Sequence, residues 1–250
     1  IRGFKVDFID RDDQKAVELV YRLARVAAAH RLVLDIHGVY KPTGQNRTYP
    51  NIINFESVFG LEELKWSNPD MPLYDVTFPF IRMVQGPVDY TREGFRIDYR
   101  NPMSQGTRAH QVAAYVVFDA PLVMLCDSPT RYMADEACTR FIASLPVVFD
   151  TTRVLAGEIG EYIVTARKRQ DCWYVGGLTG WTPRTLDVDL SLLDPGREYT
   201  ATLLADDGRS AAEPARYVLS TQRVTSATRL QIPVAPGGGF ALKIEPADNK

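Results

Sequence analysis

Lys5-Val6-Asp7-Phe8-Ile9-Asp10-Arg11-Asp12-Asp13-Gln14 is a stretch in which an apolar segment runs directly into a cluster of carboxylates. Apolar side chains alternate with Lys5 and Asp7, so the pattern predicts a strand whose polar positions share one face. Asp10 is predicted as a helix N-cap, because a short carboxylate accepts the free backbone N–H groups of a first helical turn. Asp7 lies inside the predicted strand, where burying a carboxylate without a partner is costly. Catalytic residues project from that end of the strands in a parallel barrel, so Asp7 is a candidate for chemistry.

An amphipathic helix is predicted next, from about residue 11 to residue 30, because apolar side chains recur there at helical spacing. Residues 32–36 follow as a strand, which completes a β-α-β unit of the length that a parallel crossover requires. Further apolar runs predict additional elements before residue 145. They are strands over residues 51–56, 75–80 and 122–127, and a helix over residues 105–119.

The pattern changes near residue 145, after which short segments alternate polar and apolar residues. The predicted strands cover residues 161–167, 172–178, 184–190, 197–204 and 229–234. Such strands, separated by turn residues, indicate an antiparallel β-sandwich. The sequence therefore predicts an α/β domain over residues 1–145 and an all-β sandwich domain over residues 146–250. About five strands in the first part are fewer than the eight that close a barrel, so this part is an open sheet or a barrel portion whose earlier strands lie elsewhere.

The composition argues against several classes of partner. The 250 residues contain 29 basic and 31 acidic side chains, and this even balance gives no electrostatic case for nucleic acid or an anionic membrane. No apolar run approaches the roughly 20 residues that span a bilayer. Cys126, Cys138 and Cys172 lack metal-ligand spacing and are predicted to be buried free thiols.

Polar side chains follow the ends of three predicted strands. They are Asp7, His37 and Glu56, with Glu62 and Glu63 shortly after the third strand. Two carboxylates with a histidine between them suit glycoside hydrolysis, in which one carboxylate attacks the sugar carbon and the other protonates the leaving oxygen. Each carboxylate taken alone could equally be a solvated loop charge, and His37 could be a hydrogen-bonded core histidine.

Several motifs, taken in their order along the chain, resemble glycoside hydrolase family 97. The matching segments are residues 3–14, 35–44, 47–51, 60–62 and 104–111, together with Glu56. The resemblance implies a catalytic (β/α)8 TIM barrel preceded by a large N-terminal β-sandwich and followed by a small C-terminal one. Residues 1–145 would then be the C-terminal portion of the barrel, and the missing N-terminal domain of the same protein would be a structural partner.

The resemblance also implies roles for individual residues. Inverting members of the family have a glutamate base where this chain has Gly38, and they lack the aspartate that matches Asp7. By resemblance Asp7 is therefore the nucleophile and Glu62 the general acid/base of a retaining enzyme. Glu56 and Glu62 are expected to hold Ca²⁺. His37 and Lys41 are expected to contact the sugar.

The expected function is hydrolysis of terminal α-galactosides by a retaining exo-α-glycosidase that forms a covalent glycosyl-enzyme intermediate. The alternatives are an α-glucosidase of the same family and a non-catalytic carbohydrate-binding fragment. Trp66 and Trp181 could stack on sugars, whereas Trp173 lies on an alternating strand and is expected in the sandwich core. The family resemblance implies an oligosaccharide or α-galactoside substrate and a bacterial periplasmic or secreted location.

Overall fold

The computed structural model describes residues 1–92, 94–95 and 104–247. Its strands fall into one parallel sheet near the start of the chain and two antiparallel sheets from residue 151 onward. The strands are β1 (Gly3–Val6), β2 (Val33–Ile36), β3 (Ile52–Phe55), β4 (Thr151–Glu158), β5 (Tyr162–Arg169), β6 (Cys172–Thr179), β7 (Arg184–Asp189), β8 (Tyr199–Ala205), β9 (Val218–Val224), β10 (Arg229–Val234) and β11 (Gly239–Pro246). The helices are α1 (Gln14–Ala29), α2 (Gln45–Thr48), α3 (Met71–Asp75), α4 (Arg108–Val117), α5 (Pro129–Ala134) and α6 (Glu136–Ala143). Short 3₁₀ turns cover Leu61–Lys65, Phe78–Phe80 and Met83–Gln85.

The predicted β-α-β unit is confirmed as β1, α1 and β2, with β3 added in parallel on the other side of β2. The buried residues of α1 recur every three or four positions, which turns one apolar face of the helix onto the sheet. The helix begins after Asp13, whose Oδ1 accepts a hydrogen bond of 3.0 Å from the Ala16 N–H. The prediction that Asp10 is the N-cap was therefore wrong, because Asp10 has a left-handed φ of 46° and lies in the preceding turn.

Two predicted strands are absent from the described residues. Residues 75–80 instead contain the end of α3 and a 3₁₀ turn, because Asp70 caps α3 and prolines occupy the first turns of both segments. Residues 122–127 form only one isolated bridge, in which Leu125 pairs with Arg92. Leu125 is 50% exposed, so its apolar run does not form the buried strand that the pattern predicted.

The predicted antiparallel sandwich is confirmed. The larger sheet has six strands in the order β4-β5-β6-β11-β8-β9, and the smaller one pairs β7 with β10. Side chains from both sheets meet in one core that includes Trp173, Leu186 and Ile232. The sequence patterns missed β4, β9 and β11. None of the three cysteines forms a disulfide, and only Cys138 is fully buried, so the predicted burial of Cys126 and Cys172 was wrong.

The helix α4 joins the two parts of the molecule, because all ten of its residues are buried. A Cβ added to Gly176 of β6 would lie 2.8 Å from Val116 Cβ, so the glycine allows the helix to pack directly on the sheet. His110 of α4 lies 3.1 Å from the Asp75 carboxylate and 3.1 Å from the Gly238 carbonyl oxygen. The α/β part and the sandwich therefore share a continuous interior. Within the described residues, no helix combines the length and apolar character required to cross a membrane.

Candidate active site

Three parallel strands end side by side, and a polar residue follows each of them. Val6, Ile36 and Phe55 are paired in register as the last residues of β1, β2 and β3. The next residues along the chain are Asp7, His37 and Glu56. Parallel strands bring their carboxyl ends to the same sheet edge, so these three side chains meet there.

The residue that follows each of these three has a left-handed backbone conformation. Phe8, Gly38 and Ser57 have left-handed φ angles of 60°, 52° and 49°. Left-handed backbone is uncommon for residues other than glycine, and its strain is often found at functional sites. The chain thus turns away from the sheet at the same level in all three strands, which leaves the preceding polar side chains at the edge.

His37 lies at the centre of the group and is only 5% exposed. Its Nδ1 is 3.4 Å from Asp7 Oδ1. On the other side of the ring, Nε2 is 3.2 Å from Glu56 Oε1 and 3.4 Å from Glu62 Oε1. Nε2 has no partner in hydrogen-bond geometry within the described part of the chain. The arrangement therefore does not match the alternative of a fully hydrogen-bonded core histidine.

Glu62 reaches His37 from the 3₁₀ turn at Leu61–Lys65. Leu61 is fully buried and fixes the start of this turn in the core. The Glu62 side chain is 24% exposed, so its carboxylate faces His37 through Oε1 and is still accessible to a ligand. The structure therefore brings together the predicted residues Asp7, His37, Glu56 and Glu62.

A cavity of about 590 Å³ opens over this group and is lined by Asp7, His37, Glu56 and Glu62. Its volume lies in the range of small-molecule binding sites. Four aromatic side chains also line it: Phe8, Phe59, Trp66 and Tyr74. Lys41, the other predicted sugar contact, is exposed and is not among the lining residues.

Gly38 is required by the close approach of Asp7. A Cβ at this position would lie 2.8 Å from Asp7 Oδ1 and 2.9 Å from the backbone nitrogen of Phe8. Its left-handed φ of 52° adds strain for any other residue. The Gly38 N–H also donates a hydrogen bond of 2.6 Å to Glu56 Oε2. A side chain at position 38 and a carboxylate at position 7 thus compete for the same space.

Comparisons with known proteins identify the family of the chain. A family model described as "Glycoside hydrolase 97" matches residues 1–58. A second, described as "Glycosyl-hydrolase 97 C-terminal, oligomerisation", matches residues 148–245. The chain belongs to glycoside hydrolase family 97. The resemblance inferred from the ordered sequence motifs is thereby confirmed.

Individual relatives span much more than this chain. A retaining alpha-galactosidase of Bacteroides thetaiotaomicron is 49% identical over 255 residues, covering 98% of this chain and 38% of the relative. A probable retaining alpha-galactosidase of Streptomyces bingchenggensis is 31% identical, covering 96% and 36%. A solved family 97 enzyme of Pseudoalteromonas sp. strain K8, in complex with acarbose, has a TM-score of 0.89 at 30% identity, covering 94% and 38%. The chain therefore spans well under half the length of these relatives.

The Gly38 geometry predicts the outcome of a single substitution in this family 97 chain. Gly38→Ala in the natural protein that carries this chain is expected to lower kcat/KM for an aryl α-glycoside by roughly tenfold or more, because the new Cβ displaces the Asp7 carboxylate and strains the turn. Steady-state kinetics on an aryl α-glycoside, with circular dichroism to check folding, measures the effect. Gly208→Ala is the matched control, because a Cβ there meets no atom within 4 Å. Equal activity of the two variants would contradict the prediction.

A second layer of polar residues lies beneath the first, and the sequence analysis had identified only Lys5 of this layer, as a residue on the same face as Asp7. Lys5, Asp35 and Asn54 are paired in register, each two positions before Asp7, His37 and Glu56. Their side chains share a face with the upper layer, formed by Asp7, His37 and Glu56, because strand side chains alternate with a period of two. The recurring spacing of polar residues two positions apart was a signal that could have identified them.

Asp89 completes the lower layer from a distant part of the chain. Its Oδ2 lies 2.6 Å from Lys5 Nζ and 3.6 Å from His37 Nε2. Burial would lower the pKa of Lys5, but the hydrogen bond and charge of Asp89, together with the charges of Asp35 and Glu62, raise that pKa overall. Asp35 and Asp89 are each 1% exposed. Burial raises the pKa of Asp35 to about 8, and the nearby Asp89 carboxylate adds to the increase.

This shift predicts a dependence of stability on pH. The Asp35 pKa is higher in the folded than in the unfolded state. The stabilising contribution of the protonated Asp35 carboxyl to the free energy of unfolding is therefore fully present below about pH 4 and is lost as pH rises through about 8. Asp35→Asn is expected to remove that part of the decline in the free energy of unfolding. Urea denaturation from pH 5 to 9 measures it, with Asp171→Asn as an exposed control. Parallel curves for the wild type and Asp35→Asn would contradict the assignment.

Glu56 and Glu62 are the carboxylates that can share a cation. Ligand oxygens of the two side chains lie within 4.8 Å of each other. Burial raises the pKa of Glu56, and the Glu62 carboxylate adds to the increase, so a positive ion between them would be favourable. Ca²⁺ prefers carboxylate oxygens but takes six to eight ligands. The pair therefore fits part of a calcium site, with further oxygens required from water or other chain segments.

Proposed function

We propose that this family 97 chain carries the catalytic carboxylates of a retaining exo-α-galactosidase. The observation that carries the proposal is the placement of Asp7 and Glu62 on opposite nitrogens of His37 within one cavity. Gly38 supports it, because the space that a base at position 38 would occupy is taken by Asp7. The curated relative at 49% identity, a retaining alpha-galactosidase, supports the same reaction and sugar.

In the first step, the Asp7 carboxylate attacks the anomeric carbon of the galactoside. Asp7 Oδ1 accepts a 2.7 Å hydrogen bond from the Phe8 N–H and faces His37, which leaves Oδ2 to form the new bond. Glu62 donates its proton to the glycosidic oxygen as the bond from that oxygen to the anomeric carbon breaks. The leaving alcohol departs neutral, and the products on the enzyme are a galactosyl ester and an ionised Glu62.

In the second step, the ionised Glu62 removes a proton from a water molecule. The water oxygen attacks the anomeric carbon on the side vacated by the leaving group, and the ester bond to Asp7 breaks. Two inversions at the same carbon give galactose with retained α configuration. Asp7 is then ionised and Glu62 protonated, which restores the starting state of both groups.

We propose that Glu56 and Glu62 also contribute oxygen ligands to a Ca²⁺ ion, as the family resemblance implies. When bound, the ion would supply positive charge that attracts sugar hydroxyl groups. Glu56 Oε2 accepts the hydrogen bond from the Gly38 N–H, so Oε1, which lies 3.2 Å from His37 Nε2, would be the oxygen left to hold the ion. Glu56 would thus hold the ion together with Glu62.

The parallel strands β1 to β3 are proposed to form part of a (β/α)8 barrel. Three adjacent strands with catalytic side chains at their carboxyl ends are typical of that fold. The solved family 97 relative with a TM-score of 0.89 supports the assignment, and this chain covers 38% of it. The remaining barrel strands and an N-terminal domain would come from other parts of the natural protein, which we expect to be bacterial and periplasmic or secreted.

The proposal is tested by hydrolysis of aryl α-galactoside and aryl α-glucoside by the natural protein that carries this chain. We expect kcat/KM to be at least about tenfold higher for the galactoside. A preference for the glucoside would favour the α-glucosidase alternative. Binding of α-galactosides without turnover of either substrate would favour the carbohydrate-binding alternative.

A further inference from the structure

Glu63 and Trp66 lie on the same side of the 3₁₀ turn that carries Glu62. A 3₁₀ segment has three residues per turn, so positions three apart are aligned. The Trp66 N–H donates a 3.0 Å hydrogen bond to the Glu63 carbonyl oxygen, which fixes this alignment. Both side chains line the cavity, as does Glu62, whose Oε1 lies 3.4 Å from His37 Nε2. One face of the turn thus presents a carboxylate and an indole next to the general acid.

The Trp66 side chain is unusually accessible for its size. It is 70% exposed at the cavity, and Phe59 at the other end of the same segment is 54% exposed. Lys65 Nζ lies 5.7 Å from the Trp66 ring centroid, a cation–π contact that helps hold the ring. Exposed aromatic surface beside convergent polar groups is a feature of ligand sites. The indole is therefore available to pack against a bound molecule.

The position of Trp66 relative to the two catalytic carboxylates decides which part of a substrate it meets. In a retaining glycosidase the general acid lies beside the leaving-group oxygen, and the nucleophile faces the opposite side of the anomeric carbon. Trp66 and Glu63 belong to the Glu62 segment, whereas Phe8 belongs to the Asp7 segment. Side chains of the Glu62 segment thus face the leaving group.

We infer that Trp66 and Glu63 form a subsite for a leaving group that is itself a sugar, an inference that rests on the proposed function. The indole packs against the apolar C–H face of a pyranose ring. The Glu63 carboxylate accepts a hydrogen bond from a hydroxyl group of the same ring. The substrate class is then α-galactosides of sugars, that is, galacto-oligosaccharides, in preference to galactosides of simple alcohols.

The test compares two substrates that differ only in the leaving group. Galactosyl-α-1,6-glucose releases a sugar as its leaving group, whereas α-galactosyl fluoride releases a fluoride ion. Trp66→Ala in the natural protein is expected to lower the ratio of kcat/KM for the disaccharide to that for the fluoride by about tenfold, chiefly through KM. Trp66→Phe, which keeps an aromatic face, is expected to restore most of the ratio. Met133→Ala, on α5 and 78% exposed, is the matched control and leaves the ratio unchanged.

The outcomes separate this inference from the function on which it rests. A ratio for Trp66→Ala within twofold of the unsubstituted protein would overturn the subsite while leaving the galactosidase intact. An equal loss on both substrates would also overturn it, since Trp66 would then support the site as a whole. Failure of the unsubstituted protein to hydrolyse the fluoride would overturn the proposed function and the subsite together.

Discussion

Asp7→Asn is expected to lower kcat on an aryl α-galactoside by roughly 10⁴-fold or more, because the variant lacks the carboxylate that we propose as the nucleophile. The amide is nearly isosteric with the carboxylate and can accept the same hydrogen bond from the Phe8 N–H, so the fold should persist. Steady-state kinetics measures the loss, and circular dichroism checks the folding. Asp12→Asn is the matched control, because Asp12 is an exposed carboxylate in the same turn.

A second experiment distinguishes a lost nucleophile from a general disturbance of the site. In Asp7→Gly the removed carboxylate leaves space at the anomeric carbon, which azide can enter. We expect azide to restore turnover of an aryl α-galactoside and to give β-galactosyl azide, since one displacement inverts the configuration. Turnover of Asp7→Asn close to the wild-type rate would remove Asp7 from the mechanism.

Glu62→Ala is expected to show an effect that depends on the leaving group. A poor leaving group such as a sugar needs a proton from Glu62, so its hydrolysis should fall by about 10² to 10⁴-fold. An activated aryl group departs without a proton, so formation of the galactosyl ester should be much less affected. The second step still lacks its base, and rapid mixing should therefore show a burst of aryl alcohol followed by slow turnover.

Azide provides the complementary control for Glu62→Ala. It needs no base to attack the galactosyl ester, so it should accelerate the second step and give α-galactosyl azide. Glu136→Ala, on α6 with a side chain that is 70% exposed, should behave as the wild type. The same rate loss for sugar and activated aryl leaving groups would contradict the acid/base role of Glu62.

The sequence predicted the upper layer of the site because its signal is local. Each of Asp7, His37 and Glu56 directly follows an apolar strand of a β-α-β arrangement, and parallel pairing then fixes the register. The spacing alone could not show that the residues after them adopt left-handed backbone. It also could not show that Gly38 approaches Asp7 so closely, since that contact depends on how the segments after β1 and β2 are positioned relative to each other.

Other features depend on contacts between distant parts of the chain. Asp89 reaches Lys5 from far along the sequence, and no local pattern marks it. Tyr74 lines the cavity from α3, a helix that the sequence patterns did not predict. The prolines in that region favour helical turns, and this local preference outweighs the apolar pattern. The sandwich was predicted from period-two alternation, which the burial pattern shows in β7 and β10. Most residues of β5 and β6 are buried instead, because α4 packs on these strands.

The most direct test of the central claim is proton NMR of the first galactose released from an aryl α-galactoside by the natural protein. The anomeric signals are recorded before mutarotation mixes the two forms. Early α-galactose is the predicted result, because attack by Asp7 and then by water inverts the same carbon twice. Early β-galactose would mean a single displacement by water, and it would contradict Asp7 as the nucleophile.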